Sequence, residues 1–172
     1  QTDKEDDVTS QNFGALVVEQ QLSKNFSATG FLINRQETDK FEFVDDYNRV
    51  TGVNLNYKST NNKWIGLANF GTSLTNDVSG DNNFYNAGLW FNKRGLSANV
   101  SVKNVGKNYI TDIGFTPRLS NYDAINDVVV REGYTQTTAG IEYEKFFSES
   151  SSFNSIRLVN YENNNYLDEK GD

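Results

Sequence analysis

The feature of this sequence that most limits its fold is a two-residue alternation of apolar and polar side chains, which returns in one segment after another. A strand points successive side chains to opposite faces, so period-2 alternation marks a half-buried β-strand, whereas a helix needs a period of 3.6. In 48–58, Val53, Leu55 and Tyr57 alternate with Asn54, Asn56 and Lys58. In 95–104, Leu96, Ala98, Val100 and Val102 alternate with Ser97, Asn99, Ser101 and Lys103. Segment 137–147 sets Ala139, Ile141 and Tyr143 against Glu142 and Glu144. Segment 84–93 places Tyr85, Ala87, Leu89 and Phe91 on one parity, with Phe84 and Trp90 on the other. Less regular but strand-like are 12–22, 25–35, 64–74 and 153–161, and 109–115 is a further short candidate. No segment carries a helical period. The expectation is eight or nine strands, each near the length that crosses a bilayer when tilted.

The connectors alternate as well. Short ones fall at 23–24, 60–62, 93–95 and 148–152, and long polar ones at 36–47, 75–83 and 117–133. That rhythm predicts an all-β, antiparallel up-and-down meander with loops elaborated at one end. No linker divides two cores, so 1–172 reads as one segment. The acidic stretch 1–10 and the polar stretch 161–172 read as loops, and the chain is expected to be part of a longer one. Its two outer strands are then expected not to pair with each other.

Composition separates the candidate classes. A mean hydropathy of −0.66 is low, yet 12 Phe and 9 Tyr are more aromatic residues than a disordered chain carries. A transmembrane β-barrel has this profile, because apolar outward and polar inward positions average out. Histidine, cysteine and methionine are absent, which removes histidine acid/base catalysis, thiolate chemistry and ordinary zinc sites. No enzyme and no cofactor are expected. With 16 basic against 23 acidic side chains, a net charge of −7, no nucleic-acid surface is expected either. No run of 18 apolar residues occurs, so no membrane helix is expected.

Two architectures remain open, because parity alone cannot say which face of a sheet is wet. One is a transmembrane β-barrel, or an arc of a larger one, whose partner is outer-membrane lipid. The other is a soluble β-sandwich or barrel that binds glycan through exposed aromatics. In the first reading Tyr47, Tyr57, Trp64, Tyr85, Trp90, Tyr109, Tyr134, Tyr143 and Tyr161 form an interfacial girdle near strand ends.

Certain blocks carry a resemblance: Phe13 after 10–12, then 30–35 (Gly-Phe-Leu-Ile-Asn-Arg), 47–55, 62–64 and the Gly114, Phe115, Pro117, Arg118 block. In order and spacing they resemble the uncharacterised C-terminal barrel region of large Bacteroidetes-type envelope proteins, which carry an N-terminal module similar to family-9 carbohydrate-binding domains. The resemblance implies an outer-membrane β-barrel segment in the bacterial cell envelope. It would work as anchor, pore or scaffold for an extracytoplasmic assembly, with envelope proteins as partners. No catalytic residue comes with it.

Local motifs add little chemistry. Asp77, Ser79, Asp81 and Asn83 set oxygen ligands at alternate positions around Gly80, but the loop lacks the bidentate carboxylate that completes a calcium site, so no metal is expected. Glu142 and Glu144, two apart on a strand, share one face and read as lumen-facing charge rather than a glycosidase pair. Arg118, after Pro117, reads as an anchor returning a loop to the wall through a carboxylate. Glycines inside the strand segments read as relief for curvature, with neighbouring aromatics covering the gaps.

Overall fold

A computed structural model of the chain describes residues 10–39, 42–76, 78–112 and 119–168. The alternating segments fold as strands: β1 (Ser10–Ser23), β2 (Phe26–Asp39), β3 (Glu42–Lys58), β4 (Trp64–Thr75), β5 (Asn83–Lys93), β6 (Leu96–Val105), β7 (Ser120–Asp123), β8 (Val128–Arg131), β9 (Tyr134–Phe146) and β10 (Ser155–Asp168). Eight of them form one antiparallel sheet in the order β1-β2-β3-β4-β5-β6-β9-β10, and β7 and β8 form a separate hairpin. This is a meander, since each strand of the sheet lies beside the next one along the chain apart from the excursion through β7–β8. The sheet is open. Its outer strands β1 and β10 do not pair with each other among the described residues.

Four expectations need correction. The stretch 36–47, read as a connector, is mostly ladder, because β2 and β3 continue past the apolar positions and pair Thr38 with Phe43 after a register shift at Gln36. The stretch after Tyr161 is strand rather than loop as far as Asp168, with Asn163, Asn164 and Asn165 opposite Ala139, Thr138 and Thr137. Residues 109–112 form no strand, and 113–115 lie outside the described residues. The connector 117–133 contains the β7–β8 hairpin. Backbone pairing needs no apolar parity, so polar extensions of a ladder leave no periodic signal.

Register decides which side chains share a face. Leu55, Ala68, Ala87, Val102 and Thr137 form one cross-strand row, and Tyr57, Gly66, Leu89, Val100 and Ala139 form the next. Val53, Leu55 and Tyr57 therefore lie on the same face as Leu96, Ala98, Val100 and Val102, as the alternation predicts. Much of this face is exposed apolar surface, including Leu16, Leu32, Phe70, Leu89, Val100, Ile141 and Tyr161.

The apolar positions do not run square across the sheet. On this face the last polar residue before the stripe is Asn34 in β2, Thr51 in β3, Thr72 in β4, Asn83 in β5, Asn104 in β6, Thr137 in β9 and Asn163 in β10. Among the described side chains of these strands, Tyr47, Leu74 and Leu167 stand on the polar side of that boundary. Followed through the ladder, the boundary slides eight residues along the strands over six strand steps. At about 3.4 Å per residue and about 4.8 Å per strand, the stripe is inclined to the strands by roughly 40° from square.

On the opposite face, Asn54, Asn56, Asn69, Asn86, Ser97, Asn99, Ser101, Glu142 and Asn160 are polar. Trp90 and Tyr134 also belong to this face, and Tyr109 lies off the strands, so these three leave the proposed girdle. The buried core sits at the long-loop end of this face: Val50, Val105, Tyr109, Leu119 and Tyr134, with Phe31, Ile33 and Phe84 packed against it.

Two glycines shape that end. Phe31, Gly52, Gly71, Phe84, Val105 and Tyr134 form one cross-strand row. The Phe31 ring covers Gly52, where a Cβ would sit 2.6 Å from the ring and 2.3 Å from the Phe70 carbonyl oxygen. Because the Phe70 atom is backbone, Gly52→Ala should destabilise by about 1–3 kcal/mol, the usual range for overpacking. Gly30, with open space around it, is the matched control: Gly30→Ala should stay within about 0.5 kcal/mol. Urea midpoints of the two variants test the contrast, and equal midpoints would count against it.

Candidate functional site

The most organised part of the molecule is a strap across the polar face at the long-loop end. After Val105 the chain turns and crosses β5, β4 and β3 to reach β2. The turn is clasped to the β4–β5 loop: the Gly106 amide donates to the Asn83 carbonyl at 2.9 Å, the Asn108 amide to the Asp81 carbonyl at 3.0 Å, and Asn108 Nδ2 to the Gly80 carbonyl at 2.9 Å. A Cβ at Gly106 would lie 2.0 Å from the Asp81 carbonyl oxygen, which explains a glycine there. Tyr109 then stacks on Phe84, with ring centroids 5.6 Å apart, and its hydroxyl lies over Gly71.

From there the strap is held by buried polar side chains. The Ile110 amide donates to Ser73 Oγ at 2.9 Å, and Asn48 Nδ2 donates to the Ile110 carbonyl at 2.9 Å. The Asp112 amide donates to Asn48 Oδ1 at 3.3 Å. Ser73 and Asn48 are 2% and 4% exposed, so these bonds also satisfy side chains that burial would otherwise strand. The strap ends on Arg35, whose guanidinium bridges Asp112 at 2.5 Å and Asp46 at 2.7 Å. Arg131, at the end of β8, donates to the Lys107 and Tyr109 carbonyls and ties the hairpin to the strap.

Electrostatics reinforce this. The hydrogen bond from Arg35 holds the Asp46 carboxyl below its ordinary value, against a smaller opposing effect of desolvation and with help from Glu37. Burial pushes the Tyr109 hydroxyl up, so it stays neutral under the sheet end. Asp46 lies beyond the apolar stripe. A lowered carboxylate pKa contributes stability that is complete above the ordinary aspartate value of about 3.9 and is lost as pH falls through the folded value. Arg35→Gln should therefore destabilise the protein fully at pH 6 and progressively less as the pH approaches 2. A penalty of unchanged size across that range, read from urea midpoints, would sink the assignment.

Of the residues singled out in the sequence, Asp77 and the Gly114, Phe115, Pro117, Arg118 block lie outside the described residues. Ser79 is exposed, Asn83 opens β5, and the Asp81 carboxylate lies 3.5 Å from Lys107 Nζ. The carbonyls of this loop accept bonds from the strap, so its oxygens are employed as a clasp. Among the described residues no three His, Cys, Asp or Glu side chains gather as metal ligands. Glu142 and Glu144 share the polar face, with Arg157 3.6 Å from Glu142 and the Ser155 hydroxyl donating to Glu144.

Of the strap's holders, Arg35, Asn48, Ser73 and Asp112 were not singled out in the sequence as site residues, and Tyr109 was read there as a girdle aromatic. A signal for them exists. Phe31, Ile33, Val50 and Phe84 carry apolar side chains on the polar parity at one end of their strands, which requires a cover. Chemically the arrangement offers no nucleophile beside a base; it fixes a length of chain over four strands of a polar face. No family model matches this chain, and no curated protein or solved structure matches it.

Proposed function

We propose that this chain is a non-enzymatic wall segment of a transmembrane β-barrel in the bacterial outer membrane, serving as anchor, pore or scaffold for an extracytoplasmic assembly. The observation that carries the reading is the inclined apolar stripe on one face of the sheet. Strands of a membrane barrel tilt by about 35–45°, so a band of lipid parallel to the membrane must cross them obliquely at that angle. The stripe does so at roughly 40°. The sequence resemblance to envelope barrel regions points to the same compartment. The face carrying Asn54, Asn56, Ser97, Asn99 and Ser101 is then the lumen side, and the strap lies inside the wall as an inward-folded loop.

The soluble glycan-binding reading would need a second layer over the apolar face. The aromatics Tyr57, Trp64, Tyr85, Phe91 and Tyr143 stand there among Leu, Val and Ala rather than among sugar-binding polar groups. Detergent dependence tests the choice. The expressed chain should require detergent or lipid to stay dispersed after refolding. A monodisperse, β-rich species in plain buffer would overturn the membrane reading.

A further inference from the structure

The two rims of the sheet differ in charge. Lys24, Lys58, Lys63, Lys93, Arg94 and Lys145 lie at the short turns, against Glu144 and Glu149. The other rim carries Asp46, Asp81, Asp112, Asp123, Asp127 and Glu132 against Arg35, Arg49, Lys107 and Arg131, of which Arg35 and Lys107 are in ion pairs with these acids. The basic charge is densest where the β5–β6 turn meets the end of β9. There a cleft of about 600 Å³ is lined by Lys93, Arg94, Tyr143, Lys145, Phe146 and Phe147, among others. Arg94 lies over the Phe146 ring at 4.9 Å and Lys145 over the Phe147 ring at 5.5 Å, so aromatic faces hold both cations in place. Among the described residues none of Lys93, Arg94 and Lys145 is in an ion pair. Glu144 also lines the cleft, and its carboxylate accepts a bond from Ser155. Three cations outside any ion pair among the described residues thus line the cleft, and its one carboxylate, Glu144, belongs to the opposite parity of β9 from Lys145.

Register places this cluster at the margin of the apolar stripe. Lys93 follows Phe91, and Lys145 follows Tyr143, as the next positions on the apolar face. Long basic side chains at the end of an apolar band extend toward the headgroup level while their stems stay against hydrocarbon. We propose that this cleft binds the phosphate of an anionic phospholipid in the leaflet on the short-turn side. The proposal rests on the membrane reading above, and its chemistry is a doubly contacted phosphate oxygen set between Arg94 and the two lysines.

The test uses the protein inserted, as the edge-paired assembly its outer strands form, in lipid nanodiscs of phosphatidylcholine, alone or mixed equally with phosphatidylglycerol, followed by native mass spectrometry of retained lipid. Wild type should retain phosphatidylglycerol in preference by roughly tenfold, and Lys93→Gln/Arg94→Gln/Lys145→Gln should bring the two lipids near parity. Lys103→Gln, on the polar face, should keep the preference, and so should Lys93→Arg/Lys145→Arg. Inorganic phosphate at 10 mM should not displace the lipid; displacement, with stabilisation in neutral discs, would make this a free-anion site and overturn the lipid assignment. Insertion with no lipid preference overturns this proposal alone, whereas failure to insert in any bilayer overturns the membrane reading as well.

Discussion

Arginine in place of Val100 should cost about 2–4 kcal/mol of folding stability in a bilayer, while arginine at the adjacent Ser101 should change it by less than about 0.5 kcal/mol. Val100 is 57% exposed between Leu89 and Ala139, near the middle of the stripe on β6. In lipid, that exposure is contact with hydrocarbon, where a guanidinium finds neither water nor a partner. Ser101 points the other way, between Gly88 and Thr138, onto the polar face. Urea titration of both variants folded into vesicles measures the contrast. Labelling of single cysteines with a lipophilic maleimide gives a second reading, since position 55 should label ahead of position 54. A larger penalty at Ser101 than at Val100, or faster labelling at 54, would reverse the faces.

The second large effect concerns the edges. β1 pairs only with β2, and β10 only with β9. An open edge in hydrocarbon leaves backbone groups without partners, each costing several kcal/mol by order of magnitude, so membrane sheets close. β1 carries apolar side chains on both faces at this edge: Leu16, Val17 and Val18 are each exposed. Polypeptide 1–172 on its own is therefore expected not to insert as a monomer. It should associate through β1 and β10 into larger species, and these strands should be protected from hydrogen exchange only within a wall that supplies further strands. Monomeric insertion of 1–172 in lipid, with both outer strands protected, would defeat the arc reading and require closure of the eight strands on themselves.

The strands and their facing were legible in the sequence because parity records burial directly. Val53, Leu55 and Tyr57 alternate with Asn54, Asn56 and Lys58, and an antiparallel register that keeps them on one face sets them against the apolar parity of their neighbours β2 and β4. The ends of the ladders were not legible. Around Gln36–Thr38 and at 163–165 both faces are polar, so strand and loop have the same sequence character there, and only cross-strand hydrogen bonding distinguishes them. The strap was missed for a related reason. Its anchors, Asn48, Ser73 and Arg35, look like ordinary polar strand residues until a segment more than thirty positions away is laid across them.

By itself the sequence determined the class of structure: an antiparallel meander of eight or nine strands, the alternation that separates the two faces in the regular segments, and the exclusion of histidine and thiolate chemistry. Those properties follow from residue type and a local two-residue geometry, which need no knowledge of distant contacts. Only the tertiary structure decided the rest. The inclination of the apolar stripe exists only once registers align the strands, since each strand alone shows alternation but not where its apolar run lies against its neighbour's. Likewise the strap, the clasp around Gly106 and the cation-lined cleft at Lys93, Arg94 and Lys145 join residues far apart in the chain. Their partners are fixed by three-dimensional packing and long-range hydrogen bonds, for which a linear pattern holds no record.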